Sequence, residues 1–225
     1  QGARVDQPST THEESMTKVK ICGIRTLQDA LVAAGTGADF IGLVFVPNRR
    51  RRVEVTAAAE IVAGIRKIGR TRPKVVGLFA DQPLDDVNQT IESCSLDMVQ
   101  LCGAEPLEYC GQAEVQVIKV LHVAGAPRTV AARLDMVDAL SGHIQAYRDA
   151  GHLVTLDSAV EGLQGGTGQR FDWGIASQLA DESHSFLLAG GLTPADVAEA
   201  VAEVQPWGVD VSSGVETDGM KDARK

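Results

Sequence analysis

The feature that most constrains this chain is a recurring run of Val, Ile and Leu. It appears as VKICGI (19–24), FIGLVF (40–45), KVVGLF (74–79), MVQL (98–101), VQVIKVLHV (115–123), LVTLDS (153–158), FLLAGG (186–191) and GVDVSS (208–213). Most of these runs are continuously apolar instead of alternating, the pattern of parallel strands buried on both faces. Amphipathic segments separate them: TLQDALVAAGTGA, VTAAAEIVAGIRK, PLDDVNQTIESC, EPLEYCGQA, RTVAARLDMVDALSGHIQAYRDA, WGIASQLA and TPADVAEAVAEV. Thr26, Thr56, Asp172 and Thr193 stand where helix N-caps belong, and Pro194 fits a first helical position. Eight strand–helix repeats in 225 residues predict an α/β fold, a closed (β/α)8 TIM barrel in a single domain, over an open doubly wound sheet, which usually has fewer strands. Only ETDGMKDARK follows the last strand, so the final helix is expected to be truncated.

Several function classes are excluded early. A net charge of -9 gives no field that attracts nucleic acid or an anionic membrane, and no apolar run approaches transmembrane length. The four cysteines, Cys22, Cys94, Cys102 and Cys110, lack zinc-ligand spacing, and the N-terminus has no apolar core of a secretory signal. A cytoplasmic protein with reduced thiols is expected. Residues 1–15 are polar and aperiodic and read as a disordered extension, with Met16 as a natural start and 16–225 as the barrel domain.

In a (β/α)8 barrel the chemistry gathers at the C-terminal ends of the strands. Cys22 ends the first strand, where a thiolate can serve as base or nucleophile; a buried free cysteine acting as a small hydrophobe is the alternative. Asp157 ends the otherwise apolar sixth strand. Burial there raises a carboxyl pKa and suits a general acid, against the alternative of a loop cap. Glycine clusters at 165–168, 189–191 and 210–214, with hydroxyls at Ser212 and Ser213, suit a phosphate near the loops after strands seven and eight. The run RRRR (49–52) stands alone in an acidic chain, so one of its arginines is expected to hold a carboxylate and the others to be solvated.

Taken together, KICGI, FVPNRRRRV, VGLF, VQL, LDS with GGTGQRFDW, LAGGLTP and GVDVSSGVE followed by KD resemble the phosphoribosylanthranilate isomerases of tryptophan biosynthesis. The resemblance runs from about Lys18 to the C-terminus. It implies an Amadori rearrangement of N-(5-phosphoribosyl)anthranilate to 1-(2-carboxyphenylamino)-1-deoxyribulose 5-phosphate, with neither cofactor nor metal, on a small phosphorylated substrate, in a monomer or homodimer. On that resemblance Asp157 is the general acid toward the furanose oxygen and Cys22 the general base at C2′. Arg51 matches the arginine on the anthranilate carboxylate, Asp210 lies near the anthranilate amine, and Gln100 lines the pocket. The phosphate falls on Gly166, Gly168, Gly190, Gly191, Ser212, Ser213 and Gly214.

Two positions depart from the family pattern. Cys102 stands where VQLHG would have histidine, and Arg49 where serine is typical. Rival barrels fit less well. A ribulose-phosphate epimerase needs metal-binding histidines at strand ends, where only His122 lies; an indole-glycerol-phosphate synthase needs catalytic lysines and glutamates, and only Lys20 and Lys119 lie within strands. A histidine-pathway sugar isomerase uses two carboxylates where this chain offers a cysteine and one. A catalytically silent barrel is a further alternative, against which the presence of both Cys22 and Asp157 argues.

Overall fold

The computed structural model describes residues 16–125, 127–158 and 171–225. The N-terminal extension at 1–15, Gly166 and Gly168 lie outside them. Eight parallel strands close into a barrel in chain order: β1 (Lys18–Cys22), β2 (Phe40–Val44), β3 (Lys74–Phe79), β4 (Met98–Leu101), β5 (Gln116–Val123), β6 (Leu153–Ser158), β7 (Leu187–Leu188) and β8 (Gly208–Val211). The seam closes where Lys18, Val19, Lys20 and Ile21 of β1 pair with Gly208, Val209, Asp210 and Val211 of β8. Strand seven is shorter than its FLLAGG run suggests, because the two glycines leave the ladder with positive φ angles of 93° at Gly190 and 73° at Gly191.

Between the strands lie α1 (Leu27–Gly35), α2 (Val55–Arg66), α3 (Leu84–Cys94), α4 (Leu107–Cys110), α5 (Val130–Asp149), α6 (Trp173–Asp181) and α7 (Val197–Val204). Thr26 and Asp172 cap α1 and α6, each side-chain oxygen accepting a backbone N–H two or three residues on. Thr56 does not cap. The Val53 N–H bonds back to Val44 O at 2.9 Å, so the chain turns two residues sooner than the sequence suggests and α2 begins at Val55, after Glu54. Thr193 and Pro194 also sit ahead of their helix. Thr193 and Asp196 tie each other into a turn, with Thr193 N–H to Asp196 Oδ1 at 2.8 Å and Thr193 Oγ1 to Oδ2 at 2.6 Å, and α7 starts only at Val197.

After β8 no α-helix forms among the described residues. A 3-10 turn at Ser213–Val215 leads into a hairpin of β9 (Glu216–Thr217) and β10 (Met220–Lys221). Its two-residue turn, Asp218 and Gly219 at φ 50° and 78°, is the Asp-Gly type that matches strand twist. A cavity of about 270 Å³, lined by Ile21, Ile24, Val32 and Ala33 against Val215 and Ala223, is left between β1–α1 and this segment.

Two-residue periodicity, masked in sequence because both faces are apolar, sorts the strands. Ile41, Leu43, Val75, Val99, Val117 and Leu156 pack outward against the helices. Phe40, Val44, Val76, Leu78, Met98, Ile118, Val120 and Leu187 fill the barrel interior together with Cys22 and Cys102. Two buried ion pairs interrupt this apolar frame. Lys20 Nζ meets Asp210 Oδ2 at 2.7 Å inside the seam, and Lys119 Nζ meets Glu105 Oε2 at 2.6 Å beneath the loop after β4.

The second pair braces that loop. Lys119 also donates to Gly103 O at 2.7 Å, and Glu105 accepts the Asp81 and Gly103 N–H groups at 2.8 and 3.0 Å. Removing one buried partner strands the other's charge, at a cost of about 3–5 kcal/mol. Lys119→Met is accordingly expected to lower unfolding free energy by that amount in urea titration, with a smaller loss when Glu105 is replaced by a neutral residue in the same chain.

Candidate active site

The interior positions one pleat above the apolar layers open into a cavity of about 300 Å³ at the C-terminal mouth. Cys22 enters it from β1, Gln100 from β4, Cys102 from the residue just after β4, His122 from β5, Asp157 from β6 and Asp210 from β8. Parallel register determines which of these are neighbours: Lys20 lies beside Asp210, and His122 beside Asp157.

The Cys22 thiol is buried, with Gly42 beside it in register on the neighbouring strand β2. A Cβ at Gly42 would come within 3.0 Å of its Sγ, so the glycine makes room for sulfur. Burial pushes the thiol above its ordinary range, while the Lys20 and Lys221 cations pull the other way. Asp157 is pushed up to about 6, chiefly by burial and then by the Asp210 charge. Its Oδ1 accepts the Ser158 N–H at 2.8 Å. Burial also pushes the Cys102 thiol up to about 12, and Gln100 Nε2 lies 3.6 Å from its sulfur. Burial alone would lower Lys20, but the Asp210 carboxylate holds it above its usual value.

Arg51 reaches the mouth from the loop after β2 and folds over Gly23. At that glycine φ is +76°, and a Cβ would meet Arg51 Cδ at 2.4 Å; only glycine tolerates both the conformation and the closeness. The guanidinium is held by Glu216, Nε to Oε1 at 2.6 Å and Nη2 to Oε2 at 3.0 Å. Arg50, expected to be solvated, also reaches Glu216, Nη2 to Oε2 at 2.7 Å, and Lys221 donates to Glu216 Oε1 at 3.1 Å and to Ser212 O at 2.7 Å. Although Glu216 is partly desolvated, Arg51 and Lys221 hold its carboxyl down to about 2. Ser212 Oγ in turn donates to Cys22 O at 3.1 Å, so the hairpin, the arginine and the end of β1 form one linked unit.

A model of the N-(5'-phosphoribosyl)anthranilate (PRA) isomerase family matches residues 19–225. The chain belongs to the phosphoribosylanthranilate isomerase family. The N-(5'-phosphoribosyl)anthranilate isomerase of Geobacter sp. strain M21 is 45% identical over 211 residues, spanning 93% of this chain and 94% of that one. The Dehalococcoides mccartyi protein of the same name is 40% identical over 210 residues, spanning 93% and 92%. Among solved structures, phosphoribosylanthranilate isomerase from Thermotoga maritima superposes with a TM-score of 0.77 at 30% identity, covering 93% of this chain and 94% of the other. A phosphoribosylanthranilate isomerase in complex with reduced 1-(o-carboxyphenylamino)-1-deoxyribulose 5-phosphate gives 0.74 at 30%, with the same coverage.

Most site residues expected of a phosphoribosylanthranilate isomerase converge. Cys22, Asp157, Arg51, Gln100, Asp210, Gly190, Gly191, Ser212 and Ser213 all line the mouth. Gly214 does not. It packs its backbone against the loop after β7, where a Cβ would run into Leu192 O at 1.8 Å, so its glycine serves loop packing. Four residues escaped sequence reasoning as site members. Lys20 was legible only as a lysine inside an apolar strand, which in hindsight demands a buried counter-charge. Glu216 and Lys221 lie within the GVE and KD motifs but point to no contact until β8 brings the hairpin over Arg51. His122 carried no signal beyond its place at a strand end.

Proposed function

We propose that this protein catalyses, in the cytoplasm, the rearrangement of N-(5-phosphoribosyl)anthranilate to 1-(2-carboxyphenylamino)-1-deoxyribulose 5-phosphate, with Asp157 as general acid and Cys22 as general base. The observation that carries the reading is the meeting of a half-buried carboxyl shifted up to about 6 and a buried thiol flanked by Lys20 and Lys221 in one cavity of a family barrel. Asp157 gives its proton to the furanose oxygen as the C1′–O bond breaks and the nitrogen lone pair forms a C=N bond. Cys22 then takes the C2′ proton, and the electrons of that C–H bond form the enolamine, which tautomerises to the ketone. An acid and a base each placed within reach of their proton contribute about 10²–10⁴-fold apiece.

Glu216 occupies one edge of the Arg51 fork, leaving Nη1 for the anthranilate carboxylate. Gly190, Gly191, Ser212 and Ser213 are the proposed phosphate cradle, and Asp210, held by Lys20, faces the amine. Gly166 and Gly168 belong to this cradle by family resemblance alone.

Generating phosphoribosylanthranilate in situ and following loss of its fluorescence tests the function. Rapid first-order loss with added protein is expected, and none with a folded protein would sink the reading. Glu216→Gln is expected to raise KM about 10-fold with kcat little changed, since loosening Arg51 weakens substrate and transition state alike. Equal loss in kcat would instead place Glu216 in the chemical step.

A further inference from the structure

His122 has no part in the chemistry derived so far, yet it stands beside the proposed acid. Its ring nitrogen Nε2 lies 2.9 Å from the carbonyl oxygen of Cys102. A carbonyl only accepts, so Nε2 carries the hydrogen, and in the neutral ring Nδ1 is left as a bare acceptor. That Nδ1 is fully buried and meets no donor among the described residues. Buried polar atoms in folded proteins are nearly always paired, and an exception in the wall of a proposed active site calls for a functional explanation. Gln100, an amide lining the same mouth, directs its Nε2 to Cys102 Sγ. Cys102 itself contributes to the arrangement through its carbonyl, which fixes the tautomer of His122.

The identity of the missing donor follows from the register. His122 of β5 pairs with Asp157 of β6, and in-register neighbours project to the same face, so His122 faces the part of the sugar that Asp157 protonates. In the closed furanose that oxygen is an ether and has no hydrogen to give. Once the C1′–O bond has broken and the Asp157 proton has moved to it, the same oxygen is the C4′ hydroxyl. We propose that His122 Nδ1 is the acceptor for this newly formed hydroxyl, so that the histidine binds the ring-opened sugar in preference to the closed one. Asp157, now a carboxylate, already accepts from the Ser158 N–H. Passing the hydroxyl hydrogen bond to His122 also turns it away from the base that would reclose the ring. An interaction made only after ring opening acts on kcat and leaves KM nearly untouched.

This inference rests on Asp157 as the acid, and two variants separate the two claims. His122→Leu removes the acceptor, whereas His122→Asn places an amide oxygen near the position of Nδ1. One neutral hydrogen bond is worth about 10-fold or somewhat less. In His122→Leu we expect kcat to fall about 10-fold with KM within about 2-fold, and most of the loss to return in His122→Asn. The reduced open-chain compound, 1-(o-carboxyphenylamino)-1-deoxyribulose 5-phosphate in its reduced form, is expected to bind His122→Leu about 5- to 10-fold more weakly by calorimetry. Unchanged kcat in His122→Leu, equal losses in the Leu and Asn variants, or undiminished binding of the open-chain compound would each overturn the proposal. A wild-type protein without turnover would overturn the underlying assignment and this inference with it, whereas an active wild type with an indifferent His122 overturns this inference alone.

Discussion

Asp157→Asn is expected to give a protein that turns over substrate about 10³-fold more slowly and yet unfolds less readily than wild type. The two effects have one cause. Burial raises the Asp157 carboxyl from 3.8 to about 6, which keeps a proton available for the furanose oxygen and makes the ionised form costly to the fold. Because the native state binds this proton more tightly than the unfolded chain, stability is unimpaired below about pH 4, falls as pH rises to about 6, and carries a constant penalty above it. A shift of about two units corresponds to about 3 kcal/mol. The asparagine is neutral at every pH, and its side-chain oxygen can still accept the Ser158 N–H. Urea titrations should show Asp157→Asn more stable by roughly that amount at pH 8, with the difference vanishing near pH 4. A variant that is slow but also destabilised at pH 8 would mean that Asp157 is a structural carboxylate and that the loss of rate is a packing defect.

The second large effect is expected of Cys22→Ser, with kcat down about 10³-fold, KM little changed and the fold intact. Serine nearly reproduces the shape of cysteine beside Gly42 but is far too weak an acid to ionise in this site, so it cannot supply the base at C2′. The wild-type pH profile provides an independent check. At neutral pH the lone proton of the pair sits mainly on the Cys22 thiol, whose range burial raises, while Asp157 is mainly ionised. The working arrangement, with acid protonated and base ionised, is a constant minority of that singly protonated state. Turnover should therefore be flat across neutral pH. It should fall below about 6, as a second proton arrives, and again above the raised range of the thiol. A profile that rises steadily through neutral pH with no plateau would exclude this pair. Retention of substantial kcat in Cys22→Ser would transfer the base to another group of the mouth, for which His122 and Asp210 are the candidates by position.

What could be read before any coordinates depended on range. Strand identity is a local property: a continuous Val/Ile/Leu run between two amphipathic segments has few other fates, and MVQL fell in place to the residue. Helix starts were less legible, because Thr56 and Thr193 both have the chemistry of a cap. What displaced them was a backbone bond from Val53 to β2 in one case and a competing Asp196 turn in the other. Cys22 and Asp157 could be proposed because each breaks the pattern at a strand end, where a barrel places its chemistry.

By itself, then, the sequence determined the order of elements, the barrel class and the residues presented at the strand ends, since these follow from nearest-neighbour patterning and from motifs a few residues long. Only the tertiary structure decided the partnerships. Lys20 meets Asp210 across 190 positions of chain and Arg51 meets Glu216 across 165, contacts created when β8 closes on β1 and the final hairpin folds over the mouth. His122 becomes a neighbour of Asp157 through register alone. Protonation states belong to the same level, because burial and the charges of distant segments set them, and neither exists until the barrel has closed.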